Sequence, residues 1–314
     1  MNSGKPYTIV LHGGAGTLNP NDMTPETEAL YLSGLHEAIS TGFEILKSGG
    51  TALEAVKQTV ISLEDNILFN AGCGSVFTAD GTQEMDAIIM DGSDLRTGAV
   101  AGVKNIRNPV ALAEAVMLHS DHVFLCSTGA NAFAIKNGFE HTPDEYFFSQ
   151  HRYDQWQKVK GTGTYALDHS VHLEKEKKFG TVGAAACDMH GNIAAATSTG
   201  GMTNKQFGRI GDTPVIGAGN YANNKTCAIS CTGHGEPFLR AVAAYDVSCL
   251  MEYKGYSLQQ AMEEVVMHKL VAIQGEGGMV GVDAKGNAAM IFNSEGMYRA
   301  MMNSNGELFT GIYR

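Results

Sequence analysis

The 314-residue sequence predicts a layered α+β sandwich rather than a parallel doubly wound sheet. Two turn segments carry much of that prediction. Cys187-Asp188-Met189-His190-Gly191-Asn192 and Val282-Asp283-Ala284-Lys285-Gly286-Asn287 each join apolar runs, and an Asp followed by Gly-Asn marks a tight β-turn. Two helical stretches, 236–253 and 257–270, lie between these hairpins. The order is then strand, helices, strands, polar linker, strands, helices, strands. Antiparallel hairpins beside paired helices stack as layers.

The elements follow from local signals, taken in order. Tyr7-Thr8-Ile9-Val10-Leu11 is strand-like and runs into His12-Gly13-Gly14-Ala15-Gly16. That stretch lacks a phosphate loop's GxxxxGK[ST] lysine and the G-x-G-x-x-G spacing, so it reads as a packing loop supporting a site. A long helix opens at Thr24 as N-cap with Pro25 in its first turn, and Leu32, Leu35, Ile39 and Phe43 form its apolar face. Gly49-Gly50 ends it. Thr51-Ala52-Leu53-Glu54 has the form of a capping box, after which Leu53, Val56, Val60 and Leu63 keep helical spacing. Strands are expected at 75–78 and 85–90, and an alanine-rich helix at 109–119. Residues 155–180, with Trp156 and the cluster Glu174-Lys175-Glu176-Lys177-Lys178, read as a solvated linker. Ser257-Leu258-Gln259-Gln260 is a second capping-box form.

Composition narrows the function classes. A net charge of −11 argues against nucleic acid or an anionic membrane as partner. Residues 181–314 carry nine basic and eleven acidic side chains, so most of the negative charge lies in residues 1–180. No apolar run reaches the ~18 residues of a membrane helix, and no signal-peptide core precedes the first strand, so a cytoplasmic location is expected. The six cysteines, 73, 126, 187, 227, 231 and 249, have no CxxC spacing and are expected as buried thiols.

The most informative junction is Gly180-Thr181. A charged stretch ends there and the small, apolar segment Thr181 to Cys187 begins. A cut at that bond gives Thr181 a free α-amine beside its own hydroxyl. That residue then carries both nucleophile and base, because an α-amine titrates near ~8 whereas lysine needs ~10.4. Thr197-Ser198-Thr199-Gly200-Gly201, Gly208-Arg209-Ile210-Gly211-Asp212 and Ser230-Cys231-Thr232-Gly233-His234-Gly235-Glu236 follow. A Thr hydroxyl and a glycine N–H can stabilise an oxyanion. Arg209 and Asp212 can clamp the α-carboxylate and α-ammonium of one amino acid. Singly, these are also ordinary turn chemistry or a surface ion pair. Their crowding into 181–236 points to a site.

In this order the motifs resemble those of the plant-type asparaginases, also called isoaspartyl or β-aspartyl peptidases, which are N-terminal-nucleophile hydrolases. Phe69-Asn70-Ala71-Gly72-Cys73-Gly74, Met90-Asp91-Gly92 and Glu295-Gly296-Met297-Tyr298-Arg299 extend the resemblance over nearly the whole chain. It implies a four-layer αββα sandwich with two antiparallel sheets between helical layers. It also implies a precursor that cuts itself at Gly180-Thr181 into an α chain, 1–180, and a β chain, 181–314, which together form one domain. Two such pairs would assemble as a dimer of heterodimers. Thr181 is then the nucleophile, with Thr199 tuning its hydroxyl and Thr232 and Gly233 forming the oxyanion hole. Arg209, Gly211, Asp212 and Gly235 would hold the aspartyl head group, with His234 lining the pocket. The implied substrates are β-aspartyl dipeptides and, as a smaller substrate, L-asparagine, which yields L-aspartate and ammonia. No cofactor is needed for catalysis.

The family also suggests a structural sodium ion on backbone carbonyls, here of Leu63, Glu64, Asn66, Phe69, Ala71 and Cys73. Carbonyl oxygens suit a hard cation. Two other functions are compatible with the motifs: a relative acting on protein substrates, and a non-processing protein that binds an amino acid.

Overall fold

The computed structural model describes residues 5–16, 18, 23–161 and 178–314. Strand β1 (Thr8–Gly16) leads to helices α1 (Pro25–Lys47) and α2 (Ala52–Glu64). Both helices start where the sequence places them. The Thr24 and Thr51 side chains accept from the amides of Thr27 and Glu54, each cap being worth about 1 kcal/mol. The Thr51 box is half-formed, because the Glu54 carboxylate turns to Lys57 and Gln58. Next come β2 (Met85–Asp91), β3 (Thr97–Val103), α3 (Pro109–His119), β4 (Phe124–Cys126), α4 (Ser127–Lys136), α5 (Asp144–Phe147) and α6 (Gln150–Val159). The expected strand at 75–78 does not form. A 3-10 turn, Gly72–Gly74, precedes it, and Phe77 makes only an isolated bridge to Gln83.

The second half comprises β5 (Lys178–Phe179), β6 (Val182–Cys187), β7 (Ile193–Thr199), β8 (Asn220–Ala222), β9 (Cys227–Gly233), α7 (Gly235–Ala241), α8 (Ala243–Lys254), α9 (Leu258–Glu263), β10 (Gly277–Asp283), β11 (Ala288–Phe292), β12 (Gly296–Asn303) and β13 (Leu308–Tyr313). The helix expected over 236–253 is broken at Val242, which sits at φ 50°. Its cause is distant: the Ala244 and Tyr245 amides bond to the Ala218 and Gly217 carbonyls instead of to the preceding turn. The second helix forms with its complete Ser257–Gln260 capping box and continues from α9 as a π-helical turn over Glu264–Leu270.

Two sheets stack. The larger has the order β13-β12-β1-β6-β7-β2-β3-β4, with β5 also on β1, and the smaller has the order β11-β10-β9-β8. Three apolar clusters mark the interfaces of the expected four layers. Ile9, Leu35, Ile39, Val56, Val60, Ala184 and Ala196 join the large sheet to α1 and α2. Val10, Ala185, Ala195, Ala228 and Val280 lie between the sheets. Ile229, Phe238, Val247, Val265 and Met279 join the small sheet to its helices. One correction applies to the expected antiparallel sheets. Edge strand β4 runs parallel to β3, because α3 crosses over between them as a βαβ connection requires.

A second correction concerns the polar linker. Residues 155–159 belong to α6, where Gln155, Trp156 and Val159 are buried, and the Trp156 ring stacks on Phe77. Residues 162–177 of that segment lie outside the described residues. The cysteines are unpaired, with 73, 187, 227 and 231 buried, Cys249 half-buried and Cys126 exposed. Among the described residues no helix is long and apolar enough to cross a membrane.

Candidate active site

Strand alternation decides which side chains meet. Along β6, Val182, Ala184 and Ala186 face the helices while Ala185 and Cys187 face the other sheet, so Thr181 falls on the inter-sheet side. Thr199 has the same parity as Ile193 and Ala195 on β7, and Thr232 the same parity as Ala228 on β9. The three threonines are therefore directed between the sheets, and each is buried.

The Gly180-Thr181 bond lies at an interruption of the ladder. On one edge of β1, residues 8–12 pair with 187–183 of β6, and Ala15 and Gly16 pair with Phe179 and Lys178 of β5. Between these, Gly13 and Gly14 face residues 180–182. The strand carrying the junction thus has one residue more than its partner, a bulge that re-aims a side chain. Gly14 accommodates it at φ 120°, open to glycine and not to residues with a Cβ.

The Gly180 carbonyl accepts two hydrogen bonds, from Asn70 Nδ2 at 2.8 Å and from the Thr199 hydroxyl at 2.9 Å. The Thr181 hydroxyl donates to Thr199 Oγ1 at 3.1 Å. A hydroxyl chain therefore runs from Thr181 through Thr199 to the carbonyl that Thr181 would attack. Asn70 Nδ2 also donates to Gly201 O at 2.8 Å, and Asn70 Oδ1 accepts from the Val76 amide, which fixes the carboxamide.

His12 anchors the other side of the nucleophile. Its Nδ1 lies 2.9 Å from Thr181 O, and its Nε2 lies 2.8 Å from Ser230 Oγ. Burial pulls the imidazole down to about 3 against the opposing bond to Thr181, so it is neutral at pH 7. A carbonyl only accepts, so Nδ1 must carry the proton and Nε2 must accept from Ser230. Ser230 in turn accepts from Thr197 at 2.7 Å, and Thr197 accepts from Asn220 Nδ2 at 2.9 Å. One directional chain thus links both sheets to the nucleophile's backbone.

A second group lies at the mouth. Arg209 donates from Nε and Nη2 to the Glu236 carboxylate, both at 2.9 Å, and His234 Nε2 lies 3.0 Å from Glu236. Burial opposes the Glu236 charge, but its His234 and Arg209 partners hold the carboxyl well below the usual range. Asp212 is buried, and burial raises its carboxyl to about 7 against the Arg209 charge. Among the described residues Asp212 Oδ2 and Thr232 Oγ1 have no hydrogen-bond partner. Such atoms are costly unless something else satisfies them.

Gly235 keeps the space between Arg209 and Asp212 open. A Cβ there would stand 2.9 Å from both Arg209 Nη2 and Asp212 Oδ1. Gly211 backs onto the same guanidinium, with a Cβ meeting Nη1 at 3.0 Å. Gly233 sits at φ 151° and crosses Gly277 too closely for a side chain. The site thus combines a buried hydroxyl nucleophile, unspent donors and a guanidinium–carboxylate cradle of amino-acid size. It suits acyl transfer.

The expected residues fall into two places. Thr181, Thr199, Thr232, Gly233, Arg209, Gly211, Asp212, His234 and Gly235 lie around the inter-sheet end of β6, β7 and β9. Leu63 and Glu64 end α2, Asn66, Phe69 and Ala71 lie in the loop that follows, and Cys73 lies in the 3-10 turn; this loop touches the site through Asn70. In that loop the Ile67 and Phe69 carbonyls crowd the position of a Cβ at Gly74, and the Glu64 carbonyl crowds that of Gly72. Asn70 and Glu236 join the site as well, although residue type alone does not mark either within its motif. Their roles come from partners distant in the chain.

The family model described as asparaginase matches residues 5–312. Isoaspartyl peptidases of Escherichia coli (strain K12) and Salmonella typhimurium are each 50% identical over 307 residues, covering 98% of this chain and 96% and 98% of those proteins. An isoaspartyl peptidase/L-asparaginase of Xenopus laevis is 40% identical over 305 residues, covering 97% of this chain and 94% of that protein.

Proposed function

We propose, since the chain belongs to the asparaginase family, that it is a threonine hydrolase of isoaspartyl dipeptides and L-asparagine which first cuts itself at Gly180-Thr181. The observation that carries this reading is the paired donation of Asn70 and Thr199 to the Gly180 carbonyl beside the Thr181 hydroxyl.

In the first step Thr181 Oγ1 attacks the Gly180 carbonyl. Its proton passes to Thr199, whose own proton moves toward the developing oxyanion while Asn70 donates to the same oxygen. Collapse passes that proton on to the departing nitrogen, moves the acyl group from nitrogen to oxygen and frees the Thr181 amine. Water hydrolyses the ester, leaving a Gly180 carboxylate. In the second reaction Thr181 attacks the β-carbonyl of the substrate. Its α-amine takes the hydroxyl proton and returns it to the leaving amine or ammonia. Thr232 and the Gly233 amide stabilise the oxyanion, and water hydrolyses the β-aspartyl ester to aspartate.

Arg209, with Nη1 and one Nη2 hydrogen left after pairing with Glu236, takes the α-carboxylate. Asp212 takes the α-ammonium through the carboxylate oxygen that faces the gap at Gly235, Oδ1. The two halves, 1–180 and 181–314, remain together, and two such pairs form a cytoplasmic dimer of heterodimers. A hard cation such as sodium on the carbonyls of residues 63–73 stiffens the loop that carries Asn70, without entering the chemistry.

Intact mass of purified protein under denaturing conditions tests the reading. Two fragments divided at 180/181, together with release of aspartate from a β-aspartyl dipeptide, are expected. Thr181→Ala should stay a single chain with neither activity. A cleaved, active Thr181→Ala protein would overturn the assignment.

A further inference from the structure

Beside the head-group cradle lies a cavity of about 450 Å³, in the roughly 300–1,000 Å³ range of small-ligand sites, lined by Met202, Lys205, Gln206, Phe207, Arg209, His234 and Glu236. Aspartate alone leaves much of that volume unused. Three of its features have no part in the mechanism above. Lys205 is 3% exposed, yet lysine is almost never buried without a counter-charge. Among the described residues its ammonium makes one hydrogen bond, to the Glu84 carbonyl at 2.9 Å, and no ion pair. Phe207 is 99% exposed and is held at φ 56°, a conformation costly for an aromatic residue. Met202 adds a second apolar surface, adaptable in shape.

Position ties this cavity to the reacting bond. The Lys205 chain runs alongside Gly201, with Nζ 3.1 Å from where a Cβ of Gly201 would stand. The Gly201 carbonyl shares Asn70 Nδ2 with the Gly180 carbonyl. The ammonium is therefore linked to the bond that Thr181 attacks through Gly201 and Asn70. The α-carboxylate carbon of a leaving amino acid lies only two bonds, a reach of about 2.5 Å, from the departing nitrogen.

We propose that this cavity is the leaving-residue subsite for isoaspartyl dipeptides, in which the Lys205 ammonium binds the leaving residue's α-carboxylate while Phe207 and Met202 cover its side chain. The assignment rests on the hydrolase reading above and adds the groups that distinguish a dipeptide from asparagine. Asp86 tempers the Lys205 charge only in part. It is buried across the ladder from Thr199, burial raises its carboxyl against the Lys205 charge, and its Oδ2 has no hydrogen-bond partner among the described residues. A carboxylate entering the cavity therefore meets a cation with donors to spare. Asparagine, whose leaving group is ammonia, gains nothing there.

The test uses the self-cleaved enzyme with β-aspartyl-phenylalanine and the same dipeptide carrying a C-terminal carboxamide. Wild type should favour the acid in kcat/KM by about 10- to 100-fold, the size of one charge-assisted hydrogen bond. In Lys205→Met that ratio should fall toward one whatever the absolute rate, and Lys205→Arg should restore part of it. A wild-type ratio near one, with both peptides hydrolysed, overturns the subsite and leaves the hydrolase reading intact. A preference that survives Lys205→Met overturns Lys205 as its source, and the wild-type comparison stands even if that variant does not fold. Failure of cleaved wild type to hydrolyse either peptide or asparagine overturns both readings.

Discussion

Gly235→Ala is the sharpest probe of the head-group cradle, because it adds one carbon and removes nothing. That carbon would stand 2.9 Å from Arg209 Nη2, 2.9 Å from Asp212 Oδ1 and 3.1 Å from the Asp212 amide nitrogen. The guanidinium tip can swing away, but the Asp212 backbone is held in the loop by the Val215 amide on its carbonyl. The methyl group therefore fills the gap that the substrate ammonium needs. Loss of one charge-assisted hydrogen bond costs about 1.5–3 kcal/mol, equivalent to about 10- to 150-fold in kcat/KM. Most of this should enter through KM, because head-group binding is shared by ground and transition states. The fold should persist despite the crowding at Asp212. Gly235 opens α7, has no positive φ, and alanine favours a helix over glycine by about 0.5–1 kcal/mol. Self-cleavage should also persist, since the groups that donate to the Gly180 carbonyl are Asn70 and Thr199, not Arg209 or Asp212. The assay is steady-state release of aspartate from asparagine and from a β-aspartyl dipeptide, with intact mass and a melting curve as controls. A cleaved, folded Gly235→Ala enzyme with KM within twofold of wild type would refute the cradle.

Two further outcomes follow from the same geometry. Asn70→Ala removes one of two donors to the Gly180 carbonyl and should slow self-cleavage by about 10²–10³-fold in a mass time course; an unchanged rate would exclude Asn70 from that step. Asp212 must be ionised to hold an ammonium group, and with its carboxyl raised to about 7 in the free enzyme, acid removes that charge. The Thr181 amine also protonates on acidification, near ~8, so log(kcat/KM) should fall with a slope approaching two below pH 7 and with a slope of one in Asp212→Asn. A wild-type slope of one throughout would remove Asp212 from binding.

Much of the fold was legible because its signals are local. The Thr24, Thr51 and Ser257 caps, the Asp…Gly-Asn turns and the helical spacing of Leu35, Ile39 and Phe43 act within one or two turns of chain. The misreadings share a cause. Val242 breaks a helix because carbonyls at Gly217 and Ala218 compete for its amides, and β4 pairs parallel to β3 because α3 carries the chain across. Neither cause lies in the affected segment. The buried stretch 155–159 looked polar because α6 turns a single face, with Trp156, toward Phe77.

The site divides along the same line. Thr181, Arg209 and Asp212 stand in compact motifs whose chemistry can be read from residue type. Asn70 reaches Gly180 across 110 residues, and His12 reaches Ser230 across 218. An asparagine in a loop and a histidine before glycines have many ordinary explanations, and only the fold selects among them. The Arg209–Glu236 pair is subtler. Both residues were visible in motifs, but nothing in their types says that Glu236 takes the Nε edge and leaves the rest for a ligand.

The arrangement also accounts for why Thr232 keeps a buried hydroxyl without a partner while the donors at Gly180 are fully engaged. In the proposed mechanism Thr181 attacks two different carbonyls. The first belongs to its own chain and is fixed by the strand pairing of β5 and β6 along β1. The second belongs to a substrate fixed by Arg209 and Asp212. A single oxyanion hole would have to meet both geometries. Two sets of donors around Thr181, Asn70 with Thr199 for the first and Thr232 with Gly233 for the second, remove that conflict. Thr199 stays bonded to the Thr181 hydroxyl, and His12 holds the Thr181 carbonyl, so the nucleophile need not move between the reactions. The orphan hydroxyl of Thr232 is then the half of the machinery whose ligand arrives only with the substrate.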